Sequence, residues 1–348
     1  VLAQAARSPD GTYRALASKD IEGKPLGGFH YYGTRSDDPN DVVPHEHRRE
    51  LRAMRVFAAW VNRVDAKAGN TLDTLVTENG KGVVRHYVLD FGSTLGSAGI
   101  GPRDYEEGYE YIYQGNTTLK GVISLGFDIQ PWRLIHYHAP TSVGRFEGDH
   151  FDPETWRPRV PNAAYLRARP DDTFWAARKL MAVTDGMIAA AVKRGRYTDR
   201  AAERYMIDTL IKRRAAILQA YLTPINPVVS PSLDASGVLR FENAAVQAGV
   251  ARPPSGYRVA WFAFDNTTGE STPIGEQAGA RPAGTRAPTG IPSGIGSFVR
   301  VDISAEHPPH PSWRSAVHAY FRRTRDGWKL VGLERLPGQP IEYPLETR

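Results

Sequence analysis

The chain has 348 residues and no cysteine. Disulfide frameworks, zinc–thiolate centres and thiol nucleophiles are therefore excluded. That absence fits an extracytoplasmic bacterial protein better than a cytosolic one. Long apolar runs are also missing. None approaches the roughly 20 residues of a spanning helix, so no membrane span is expected. No signal peptide is visible, and the first residue is Val1 rather than methionine, as in a processed product or a segment. Charge of either sign is plentiful. Lys and Arg total 44 against 38 Asp and Glu, a formal charge of +6. A mildly basic surface attracts anions such as nucleotides. The basic cluster Lys212-Arg213-Arg214 reads as a solvated helix end rather than a nucleic-acid patch. With 41% hydrophobic residues, the composition suits one large or two medium domains.

An extended run is expected at Thr12–Ser18, then a turn over Ile21–Gly27, where Gly and Pro recur. From Pro44 to Val64 the apolar residues Leu51, Met54, Phe57, Val61 and Val64 recur at helical spacing. Two strands are expected at 71–77 and 83–89, joined through Asn79-Gly80, a strong hairpin signal. Ser93–Arg103 is rich in Gly and Ser, Tyr105–Tyr113 is acidic and aromatic, and 131–169 is rich in Pro. Helices are expected over 171–183, from Thr184-Asp185 to Arg194 before Gly195, and after the cap Thr198-Asp199. Beyond Pro224 the pattern changes to strands at 238–242, 257–264, 298–303, 316–322 and 328–334, with a Pro/Gly-rich loop at 279–296.

The chemistry concentrates in two short motifs. Asp65-Ala-Lys67-Ala-Gly-Asn70 follows the first helix, and Asp90-Phe91-Gly92 follows the hairpin. Phosphoryl transfer needs a carboxylate at the acceptor hydroxyl, a cation at the moving phosphoryl group, and oxygen ligands for magnesium. Asp65, Lys67, Asn70 and Asp90 supply these residue types in that order. The helix, loop, hairpin and Asp-Phe-Gly together resemble the protein-kinase-like superfamily. The nearest branches are the atypical bacterial ones: aminoglycoside phosphotransferases, HipA-type kinases and spore-coat CotH kinases. Tyr13–Leu26 resembles the hinge of such proteins. The resemblance covers about residues 12–95 and weakens to about 222.

It implies an α+β chain in three parts. Residues 1–34 would be a hinge-like remnant of an upper lobe. Residues 35–224 would be a mainly helical kinase-like lower lobe, and 225–348 a small antiparallel β-sandwich. Asp65 would be the catalytic base and Lys67 the phosphate contact. Asn70 and Asp90 would hold magnesium, and Asn70, Asp90, Phe91 and Gly92 would bind Mg-ATP. The acceptor would be a hydroxyl on a protein or small molecule.

Two departures stand beside this. Arg63 occupies the place where the kinase pattern usually has His. A glycine-rich lid and a strand-borne Lys should precede the hinge, and Lys19 and Lys24 are poor substitutes. The upper lobe is then removed, supplied by a separate chain, or never present. The last case implies a different class: a catalytically inert kinase-like scaffold of the bacterial envelope, with the sandwich as its protein- or glycan-binding module. Other motifs read as structural. His45-Glu46-His47 and His136-Tyr137-His138 lack metal-site spacing. Gly96–Gly101 does not open a helix as a phosphate loop would. Trp261, Trp313 and Trp328 read as core rather than a sugar platform.

Overall fold

The computed structural model describes residues 7, 10–13, 19–98, 101–112, 123 and 129–338. The run expected from Thr12 lies outside these at 14–18, the glycine-rich loop at 99–100, and the acidic-aromatic stretch at 113. The chain forms two compact units. One takes in the chain up to Phe29 together with Ala68–Asp90. The other takes in His30–Lys67 and everything from Phe91 onward.

The first unit is a three-stranded antiparallel sheet in the order β1 (Lys24–Gly27), β2 (Thr71–Glu78), β3 (Lys81–Val88). β2 and β3 pair without a slip from Thr71↔Val88 to Glu78↔Lys81. Asn79 and Gly80 turn the hairpin with φ of 50° and 75°, the left-handed pair that matches strand twist. β1 replaces the expected turn. Pro25 is tolerated there because β1 lies at an edge of the sheet. Gly23 enters it at φ 101°, where a Cβ would stand 2.7 Å from the Leu75 carbonyl oxygen.

The second unit begins with a 3-10 turn at His45–His47 and α1 (Arg49–Trp60). Later in the chain come α2 (Ala163–Leu166), α3 (Pro170–Met181), α4 (Asp185–Arg194) and α5 (Arg200–Leu222). Their starts follow local chemistry. The side chains of Asn162, Thr184 and Asp199 accept the first free N–H groups of α2, α4 and α5. α1 packs on α3, and α3 and α4 pack on α5. Arg52 of α1 grips the buried Asp172 of α3 through Nε at 2.6 Å and Nη2 at 3.0 Å.

The remaining elements are β4 (Val228–Leu233), β5 (Val238–Asn243), α6 (Ala244–Gln247), β6 (Tyr257–Phe264), β7 (Ser271–Ala280), β8 (Thr285–Arg286), β9 (Phe298–Ala305), β10 (Val317–Thr324) and β11 (Gly327–Glu334). They make a five-stranded sheet, β11-β10-β9-β6-β7, and a three-stranded sheet, β4-β5-β8. One continuous buried cluster joins Val56 of α1, Leu180 of α3 and Ile217 of α5 to Trp261, Val301 and Phe321 of the sheet. The boundary expected at 224/225 runs through that cluster. Trp261 and Trp313 are completely buried.

The expected fold class is corrected. The chain is not a mainly helical lobe followed by one sandwich. Among the described residues, 26% are helical and 27% are in strands, and the strands form three antiparallel sheets. The physical reason lies in 91–162. In the described part of that stretch, where Pro and Gly recur, the helical residues are Ile123 and a short 3-10 turn at Pro131–Leu134. Helical periodicity earlier and later than this stretch was real but too local to fill a lobe. Among the described residues, no helix is long and apolar enough to cross a membrane.

Candidate functional site

The candidate residues divide between the units. Asp65, Lys67, Phe91 and Gly92 belong to the second, and Asn70 and Asp90 to the first.

In the second unit, α1 is stopped by a left-handed residue, Asn62, at φ 52°. Asn62 N–H donates to the Ala59 carbonyl and Arg63 N–H to the Ala58 carbonyl at 2.7 Å. This is the paired closure that ends a helix and reverses the chain. Two side chains from elsewhere fix the turn. The Trp156 indole N–H donates to Asn62 Oδ1 at 2.7 Å, and Arg103 Nη1 donates to the Asn62 carbonyl at 2.6 Å. Gly108 leaves room for the Asn62 amide, since a Cβ there would lie 2.6 Å from Oδ1.

Asp65 follows at 8% exposure. Its flanking carbonyls are both held. Arg159 N–H donates to Val64 O at 2.9 Å, and Asn162 Nδ2 donates to Ala66 O at 3.1 Å. Asp65 Oδ2 pairs with Lys67 Nζ at 3.0 Å, and the Lys67 side chain is half exposed. The carboxyl group is therefore held on a fixed backbone beside a half-exposed ammonium. A carboxylate positioned within hydrogen-bond reach of a hydroxyl can accept its proton.

Phe91 and Gly92 are exposed, and the Arg63 guanidinium lies 5.6 Å from the Phe91 ring centre. They border an open groove of about 610 Å³ lined also by Thr94, Ser97, Thr141 and Tyr197. Behind them, Arg103 is completely buried. It donates to the carbonyls of Asn62, Ser93 and Ser97 and pairs with Glu107 at 3.0 Å. Glu107 is in turn gripped by Arg159. Burial pushes the Arg103 guanidinium down to about 10, against the opposing pull of Glu107.

In the first unit, Asn70 ends a 3-10 turn (Ala68–Asn70) and is 6% exposed. Its carbonyl accepts Leu89 N–H at 2.9 Å, which extends the β2–β3 ladder by one step. Asn70 and Asp90 thus come to the same end of one hairpin. Thr71 Oγ1 braces that end by accepting Phe29 N–H at 2.9 Å and donating to Ala68 O at 2.6 Å. Asp90 itself has φ 54°, a left-handed conformation that costs a residue with a Cβ energy and recurs at functional positions. A carboxylate and an amide oxygen are ligand types that magnesium accepts.

Several residues here carried no signal in the sequence. Arg103, Glu107, Arg159 and Asn162 act from far along the chain. In the first unit, Asp73 is fully buried and its Oδ1 lies 2.6 Å from His86 Nδ1 across the hairpin. Only Asn62, an Asn directly after a helix, had a readable role. His45 is held by the His30 carbonyl and by Asp41. Among the described residues, no group of three or more His, Asp or Glu is arranged to hold a metal. No protein-family model, no curated protein and no solved structure matches the chain.

Proposed function

We propose that this chain transfers the γ-phosphoryl group of magnesium–ATP to a hydroxyl, in the manner of the protein-kinase-like superfamily. The carrying observation is the end of the β2–β3 hairpin. The ladder bond from Leu89 N–H to Asn70 O aligns Asn70 with the residue just before Asp90, so two oxygen-bearing side chains share one hairpin end. Magnesium bound there would neutralise the charge of the nucleotide phosphates. Asp65 accepts the hydroxyl proton and Lys67 meets the phosphate oxygens. Their ion pair and the two captured carbonyls around Asp65 support those roles. The metal half and the base half are read as one activity from their order in the chain.

The test separates the halves. ATP turnover is measured with magnesium for the wild type, Asp65→Asn and Asp90→Asn. Asp65→Asn should lower transfer by about 10²–10⁴-fold while magnesium-dependent ATP binding persists. Asp90→Asn should lose both. Undiminished transfer in Asp65→Asn, with the variant folded, overturns the reading.

A further inference from the structure

A second cavity in the larger unit is lined by none of the candidate catalytic or metal-binding residues. It is a groove of about 390 Å³, within the size range of small-molecule sites. Arg55 of α1, the segment 154–158, the end of α2, the start of α3 and residues 221–225 surround it.

Its lining is basic. Three guanidinium groups, Arg55, Arg157 and Arg169, face one lining carboxylate, Glu154. Arg55 is anchored rather than spent. It donates to Tyr221 Oη at 2.9 Å, Glu154 O at 2.8 Å and Trp156 O at 3.1 Å, which leaves N–H groups over. Arg157 lies 5.3 Å from the centre of the Tyr111 ring, and its backbone N–H is bound to the Gly108 carbonyl. Arg169 is the most neutralised of the three, since its Nε lies 3.3 Å from Asp171 Oδ1. Asp171 is shared with Arg49 at 3.0 Å.

The floor and rim are apolar. The rings of Trp156 and Tyr165 are buried beneath it, while Leu166 stands at the rim 61% exposed. A groove with aromatic walls and a fork of arginines selects an oxyanion carried on an apolar body. Guanidinium pairs bidentately with phosphate or carboxylate, and the walls cover the rest. We infer that this groove binds a small molecule in which a phosphate or carboxylate is attached to a ring or other apolar group. The inference does not rest on the phosphoryl-transfer reading.

Calorimetric titration with phenyl phosphate, benzoate and benzyl alcohol tests it. One or both anions should bind, and the neutral alcohol should not. The stronger of the two names the oxyanion. Binding should weaken by about tenfold or more in Arg157→Gln and fall as salt rises. Leu166→Trp, at an exposed position that would fill the groove, should weaken it without lowering the melting temperature. The inference is overturned if neither anion binds at millimolar concentration, if benzyl alcohol binds equally well, or if both variants bind as the wild type does.

Discussion

The loop carrying Asp65 and the hairpin end carrying Asn70 and Asp90 are built by opposite means. The hairpin end is mainly local, with one distant brace from Phe29. Its ladder and its Asn79-Gly80 turn lie within one short stretch of chain. The Asp65 loop is held from a distance. Arg103, Arg159 and Asn162 reach its backbone from far along the chain. Irregular backbone that is buried must find partners for its carbonyls, and without a ladder those partners are side chains or isolated backbone N–H groups from elsewhere. Buried arginines serve best because each offers several donors. Arg213 does the same nearby, donating to the carbonyls of Ala59, Trp60 and Glu147.

That contrast can be broken in graded ways. The largest effect is expected at Arg103. Arg103→Met leaves three carbonyls and the Glu107 carboxylate without their buried cation, and should cost about 3–5 kcal/mol in urea denaturation. Hydrogen exchange should rise at 62–66 and 93–97 while the amides of β2 and β3 keep their protection. Equal loss in the hairpin would abolish the distinction. Asn162→Asp is subtler. It keeps the acceptor that caps α2 but removes the donor to Ala66, so the loss should be about 1–2 kcal/mol and confined to the Asp65 loop. For the hairpin, Gly80→Ala forces a Cβ into the left-handed region and should cost about 1 kcal/mol, with no change in exchange at 62–66.

The smallest effect concerns pH. Burial works to raise the Asp41 carboxyl, but the Arg35 N–H, His45 and Arg48 outweigh it and hold it below the usual carboxylate range. A lowered folded-state pKa contributes stability above the unfolded value, lost as pH falls through the folded one. Melting temperature should therefore drop on acidification below about pH 4, and Asp41→Asn should flatten that drop. An unchanged profile would remove Asp41 from the account.

The same contrast explains what could be read in advance. Periodicity and caps located α1, α3, α4 and α5, and alternation located β6 and β9–β11, because those signals are local. β1 was hidden by Gly23, Pro25 and Gly27, which read as a turn. β7 carries Gly275 and Pro273, and β4 carries Pro231, so composition argued against both. The fold class failed because motif order suggested a helical lobe, whereas the described part of 91–162 is held by scattered backbone and side-chain bonds with no helical period. The candidate residues themselves were legible as motifs, but the residues that hold Asp65 in place were not. Nothing in the local pattern of Arg103, Arg159 or Asn162 pairs them with a loop so far away.

The most direct measurement is paramagnetic broadening by Mn²⁺, standing in for magnesium, with ATP present and amide signals assigned. The account predicts selective broadening at Asn70 and around Asp90 in the wild type, lost in Asp90→Asn. Broadening elsewhere only, or none at either position with ATP at saturating concentration, would contradict it.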